Sequence, residues 1–295
     1  MRPDGKNNRE VKEMGLRTDL AMEDYALWRR SARQQTELRG VRARETTEDG
    51  IKITTVEILD EEGRRALGKP VGTYVTLEGA PPQAPAELAV GAARLSRYLC
   101  ALLPRAGHVL VAGLGNEAVT PDAVGPEVLR SVIVTRHLKR MQPELFRSFA
   151  TVSALQPGVL GTTGAESAEL IAAAVDKLRP DAVIAVDAVA AREPGRLCRT
   201  VQLSTAGIVP GSGVGNARSG ISRETLGIPV LAVGVPTVMD LGGAAWENER
   251  IPAGMVLTPR DIDAKIKQLG RWIGIGIDLA LHEGLDAETA AGFLP

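Results

Sequence analysis

Aromatic residues make up only 3% of the 295-residue chain, three each of Trp, Tyr and Phe, which leaves few stacking platforms for single-stranded nucleic acid. An excess of one charge is also missing. Lys and Arg total 35 against 36 for Asp and Glu, so no net field draws the chain onto a phosphate backbone or an anionic membrane. Cysteine is scarce: Cys100 and Cys198 lie far apart, form no C-x-x-C, and have no His at metal-ligand spacing, so a reduced cytoplasmic protein without metal or cofactor is expected. No 18 uncharged apolar residues run together, and Met1 to Glu10 contains no apolar signal core. Secretion and membrane spanning are therefore not expected. The longest apolar candidate, Trp272 to Leu281, is interrupted by Asp278 and has the length of a core helix.

What the chain does contain is the composition of a globule, with 44% hydrophobic and 24% charged residues. That is enough to bury the core of one large domain or two small ones. Residues 1 to about 50 are polar and Arg-rich and read as an exposed segment with helical character around Met22 to Leu38. Strands are expected at Ile51 to Ile58 and Gly72 to Leu77, where β-branched residues alternate with polar ones. Leu88, Ala92, Leu95, Leu99 and Leu102 then recur at helical spacing up to Pro104. Beyond that point come short, continuously apolar runs: His108 to Gly113, Asp181 to Asp187 and Ile228 to Gly234, with a further strand expected at Ala150 to Leu155. Runs apolar on both faces are the mark of buried parallel strands. With helical segments such as Ser167 to Leu178 between them, the architecture reads as α/β around a central sheet. A C-terminal helix is expected over Thr258 to His282, with Thr258 as N-cap and Pro259 at its first position.

In an open parallel sheet, polar groups converge beyond the carboxyl ends of the strands. The first apolar run leads into Gly113-Leu114-Gly115-Asn116 and on to Thr120-Pro121-Asp122, and the second ends in Asp187. Asp122 and Asp187 are thus candidates for one crevice, where two carboxyls brought close would hold their protons unequally and supply an acid and a base at one pH. Asp122 read as the N-cap of a helix starting near Ala123 is the structural alternative. Gly113 to Ala118 also fits the dinucleotide fingerprint G-x-G-x-x-A, but Pro121 and Pro126 fall where the phosphate-binding helix should run. A second glycine-rich loop, Pro210-Gly211-Ser212-Gly213, lacks the P-loop ending. Its glycines either admit an extended peptide or make tight turns. No H-x-x-x-H and no nucleophile elbow are present.

Several blocks together resemble the germination protease family: Arg17-Thr18-Asp19-Leu20-Ala21, Gly113-Leu114-Gly115-Asn116 with Val119 to Pro126, Thr135-Arg136-His137-Leu138, Pro157-Gly158-Val159-Leu160-Gly161, Ala185-Val186-Asp187-Ala188, Pro210 to Asn216, and Thr225 to Val238. The resemblance implies a phosphorylase/hydrolase-like three-layer α/β sandwich with a central mixed, mostly parallel sheet, similar to that of hydrogenase-maturation endopeptidases. It also implies an endopeptidase that cleaves small acid-soluble spore proteins after Glu, in the cytoplasm of the spore core, and that forms a homotetramer.

On this resemblance Asp122 and Asp187 are the essential aspartates, and Gly211, Ser212 and Gly213 are substrate-binding candidates. Residues 1–16 resemble a propeptide, with 17–295 as one peptidase domain and Glu13-Met14 as the self-processed bond. Met239 to Met255 is shorter than the insertion usual in the family at this place. Two other functions compete: a metal-dependent maturation peptidase, for which His137 would have to join the two aspartates, and a non-enzymatic nucleotide-binding protein using Gly113 to Ala118. N-terminal sequencing of matured protein is expected to read from Met14; a different first residue would move the processing bond.

Overall fold

The computed structural model describes residues 17–31, 38–212, 215, 218–241, 245–246, 249–252 and 254–293. In chain order they form α1 (Ala21–Ser31), β1 (Val41–Glu48), β2 (Ile51–Ile58), α2 (Glu61–Leu67), β3 (Gly72–Glu78), α3 (Pro85–Leu102) and β4 (His108–Gly113). After a 3-10 turn at Thr120–Asp122 come α4 (Val124–Leu129), α5 (Arg136–Met141), β5 (Thr151–Leu155), α6 (Leu160–Thr163), α7 (Ser167–Leu178), β6 (Ala182–Ala190) and β7 (Thr200–Ser204). The remainder is α8 (Arg223–Leu226), β8 (Val230–Asp240), the short pair β9 (Ala245–Trp246) and β10 (Glu249–Arg250), β11 (Val256–Leu257), α9 (Ile262–Leu281) and α10 (Ala287–Gly292).

One mixed sheet runs in the order β1-β2-β3-β7-β8-β6-β4-β5, with β11 also on β8. Strands β8, β6, β4 and β5 pair in parallel, and this is the half that carries the site. From β8 outward through β7, β3, β2 and β1, and at β11, the ladders are antiparallel. The continuous apolar runs arise because β6 is covered on both faces. Ile184 and Val186 pack with Leu95 and Leu99 of α3 and Ile273 of α9. Val183 and Ala185, one pleat away, pack with Ile171 and Val175 of α7. Helices on both faces of the sheet make three layers, as expected.

Helix α9 tests whether burial outweighs poor helix propensity, since its interior carries Gly270, Gly274 and Gly276. Each glycine costs roughly 1 kcal/mol relative to Ala. Ile266, Leu269, Ile273 and Ile277 are nearly or fully buried on the sheet, and each contributes about 1.5–3 kcal/mol. Burial wins. No helix among the described residues is long and apolar enough to cross a membrane.

Several sequence expectations are corrected. Helix α9 begins at Ile262 after Asp261, not at Pro259, and the Thr258 hydroxyl instead donates to the Thr237 carbonyl at 2.9 Å. The third apolar strand starts at Val230 and runs on to Asp240. The N-terminal helix occupies Ala21–Ser31, and 32–37 lie outside the described residues. The polar first fifty residues also contain β1, which periodicity missed because none of its side chains is buried. This edge strand is held by its antiparallel ladder to β2 and carries charged pairs across it, Arg42 with Glu57 and Glu45 with Lys52, a composition that discourages pairing with other chains. Strand β7 was missed because its five buried residues include Thr200, Gln202 and Ser204.

Asp278 of α9 is fully buried and accepts the Ile133 N–H at 2.9 Å. Burial pushes its carboxyl up to about 8 and pushes neighbouring His282 down to about 4. The 3.9 Å approach between them is therefore a contact of two neutral groups at pH 7 rather than an ion pair. A carboxyl whose folded pKa is raised contributes stability at low pH that is lost as pH rises through the folded value. Wild type is expected to lose about 1 kcal/mol of unfolding free energy between pH 7 and 9 from this group. Asp278→Asn, which keeps an acceptor for Ile133, should flatten that loss in urea titrations at the two pH values.

Candidate active site

The site is built where β4 ends beside β6, which runs on to Ala190, so that Asp187 lies inside the strand rather than at its end. The two strands pair in parallel with Gly113 beside Val186, and the Leu114 N–H continues the ladder to the Val186 carbonyl at 2.8 Å. The chain then turns sharply at Gly115, where φ is +100°, and the Thr120–Asp122 turn folds back onto it. A Cβ on Gly115 would lie 2.0 Å from the Asp122 carbonyl oxygen, and one on Gly113 would lie 2.4 Å from the Gly125 carbonyl oxygen. Only glycine permits both the left-handed backbone and this approach. The closure sets the Asp122 Oδ2 2.9 Å from the Asn116 N–H.

These contacts settle two alternatives. Asp122 does not cap α4, which starts at Val124 behind Ala123; its carboxylate is used by the Gly-x-Gly loop. The same loop is not followed by a phosphate-binding helix, because the space beside Gly113 and Gly115 is filled by the chain's own Asp122 and Gly125 backbone.

Asp187 lies within β6 and is 4% exposed. Its neighbour across the ladder in β8 is Gly234, which presents no side chain, and its own Oδ1 accepts the Ala188 N–H at 2.9 Å. Burial first, then the charge of Asp122 and then that of Asp19, drive the Asp187 carboxyl well above the ordinary carboxylate range. Asp122 is raised too, by partial burial, but the Asn116 N–H opposes the shift. Asp122 therefore ionises before Asp187. Both line a cavity of about 580 Å³, together with Asp19, Gly211, Thr237 and Asp240.

The remaining sequence candidates fall as follows. Gly211 lines this cavity, and Ser212 lines an adjoining one of about 520 Å³. Gly213, Glu13 and Met14 lie outside the described residues. His137 is exposed on α5 and does not line the aspartate cavity, so it does not join the pair. Asp19, which lines both cavities, is not singled out by the sequence. It lies in the Arg17 to Ala21 block, and its one distinguishing signal is a charge directly before buried Leu20 and the buried first residues of α1, Ala21 and Met22.

An α/β protein that brings two carboxyls of unequal proton affinity to one large cavity at its strand ends has the equipment of an acid–base hydrolase. The model of the germination protease family matches residues 18–246, and the chain belongs to that family, a family of peptidases. It is 42% identical to the germination protease of Caldanaerobacter subterraneus subsp. tengcongensis, over 92% of this chain and 96% of that protein. It is 37% identical to that of Clostridium perfringens, over 95% and 99%, and 43% identical to that of Priestia megaterium, over 89% and 70%. Among solved structures, a NiFe hydrogenase maturation protease from Thermococcus kodakarensis is similar at a TM-score of 0.36 and 18% identity, over 61% of this chain and 98% of that one.

Gly115→Ala should destabilise the protein by roughly 2 kcal/mol or more, since it adds a backbone clash to left-handed strain. Gly50→Ala, also at positive φ but with nothing within 4 Å of the added carbon, should cost about 1 kcal/mol. Denaturant unfolding of the two variants side by side checks the difference.

Proposed function

We propose that this protein is the endopeptidase that degrades small acid-soluble spore proteins at germination, cleaving after Glu, with Asp122 as general base and Asp187 as general acid. The supporting observation is the unequal burial of the two carboxyls in one cavity. The Asp122 carboxylate takes a proton from a water molecule as that water attacks the scissile carbonyl carbon. Asp187, still protonated, donates a hydrogen bond to the carbonyl oxygen and then gives its proton to the leaving amine as the C–N bond breaks. Family membership supports the rest of the reading: synthesis as a zymogen self-cleaved at Glu13-Met14, with 17–295 as the peptidase domain, assembly as a homotetramer, and action in the spore core.

The purified protein, with and without its first 13 residues, is to be incubated with a small acid-soluble spore protein and the products read by mass spectrometry. Cleavage after Glu is expected, with Asp122→Asn and Asp187→Asn each slower by about 10²–10⁴-fold. Cleavage undiminished in either folded variant would remove that aspartate from the mechanism. The pH profile should be bell-shaped, rising as Asp122 ionises and falling as Asp187 does.

A further inference from the structure

Asp19 sits between the two cavities, lining both, and every polar atom it has is committed. Its N–H donates to the Ala190 carbonyl at 3.0 Å, and its Oδ2 accepts the Ala190 N–H at 2.9 Å. Its Oδ1 accepts the Ser212 hydroxyl at 2.6 Å, and its carbonyl accepts the Gln202 amide at 3.1 Å. Gln202 in turn accepts the Ala21 N–H at 2.8 Å. One carboxylate thus ties the segment ahead of α1 to the end of β6, three residues beyond Asp187, and to the 210–212 wall of the cavity. A structural tie alone would be served by Asn, whose amide oxygen accepts and whose amide nitrogen donates. Asp puts a negative charge there instead, in a partly buried place where that charge is poorly screened.

We propose that Asp19 is a positioning residue of the aspartate pair: its carboxylate pins the 210–212 wall to β6 through Ser212 and sets a third negative charge on the Asp187 side of the cavity. The proposal rests on the acid–base reading of Asp122 and Asp187. Other charged groups surround Asp19: Arg17, Asp24, Lys69 and Arg192 line the second cavity with it, and more share the first. Asp122 approaches from the 3-10 turn and Asp240 from the end of β8. Glu166, ahead of α7, and Arg218 line it too and pair with each other at 3.7 Å. The β8 neighbour of Asp187, Gly234, brings no charge. A negative charge near a protonated carboxyl disfavours its ionisation, so Asp19 keeps the proton on the general acid to higher pH. Its removal moves the alkaline limb of the pH profile downward.

The experiment follows kcat and KM against pH for cleavage of a spore-protein substrate by wild type, Asp19→Asn, Asp19→Glu and Ser212→Ala, with Asp187→Asn alongside. Asp19→Asn, which keeps both hydrogen bonds and loses the charge, should shift the alkaline limb down by about one pH unit with little change in KM. Asp19→Glu should leave the limb near its wild-type position. Ser212→Ala should leave the limb in place and raise KM several-fold by loosening the wall. An unshifted limb in Asp19→Asn while Asp187→Asn is inactive overturns the proposal and leaves the aspartate pair standing. Equal shifts in Asp19→Asn and Asp19→Glu overturn it as well, because the charge would then be irrelevant, and so does an unchanged KM in Ser212→Ala. Full activity of Asp187→Asn instead overturns the acid–base reading itself, and the role of Asp19 falls with it.

Discussion

Two carboxyl groups taken out of water into one cavity cannot both ionise at low cost, and the arrangement around Asp122 and Asp187 follows from that constraint. The sheet buries Asp187 almost completely and gives it one N–H, from the next residue. Asp122 stays partly exposed and receives an N–H from the Gly-x-Gly loop. Repulsion between them then makes the more deeply buried member the harder to ionise. On the proposed reading, a general acid and a general base at the same pH come from unequal burial and mutual repulsion, using identical side chains.

Backbone geometry makes this possible. Parallel pairing of β4 and β6 brings the loop after Gly113 beside Asp187, and the absence of side chains at Gly113 and Gly115 lets the Thr120–Asp122 turn close against it. Gly234 opposite Asp187 leaves the carboxyl without a side chain beside it on β8. The antiparallel half of the sheet contributes indirectly, since β7 supplies the Gln202 amide that holds the segment carrying Asp19.

A glycine pattern of the form G-x-G-x-x-A after a strand is most simply read as a phosphate cradle. Here the glycines admit the protein's own backbone, since a Cβ at Gly113 or Gly115 would run into the Gly125 or Asp122 carbonyl oxygen. The glycines are needed in both cases because something approaches the main chain closely; sequence spacing does not say what.

The sequence by itself determined the α/β class and the parallel core strands, because apolar runs covered on both faces differ in pattern from half-buried strands. It also singled out Asp122 and Asp187, since each follows or ends such a run, and the blocks around them carry the family resemblance. Tertiary structure decided what depends on partners distant in sequence. Strand β1 buries none of its side chains fully and is recognisable as a strand only through its ladder to β2. The start of α9 is set by Thr258 finding the Thr237 carbonyl instead of capping the helix. Asp19 reaches the site only because the chain ahead of α1 is tied to β6 and β7, 171 and 183 residues away in sequence. Local patterns record which faces are buried, and the pairing of remote polar groups becomes defined only when the sheet assembles.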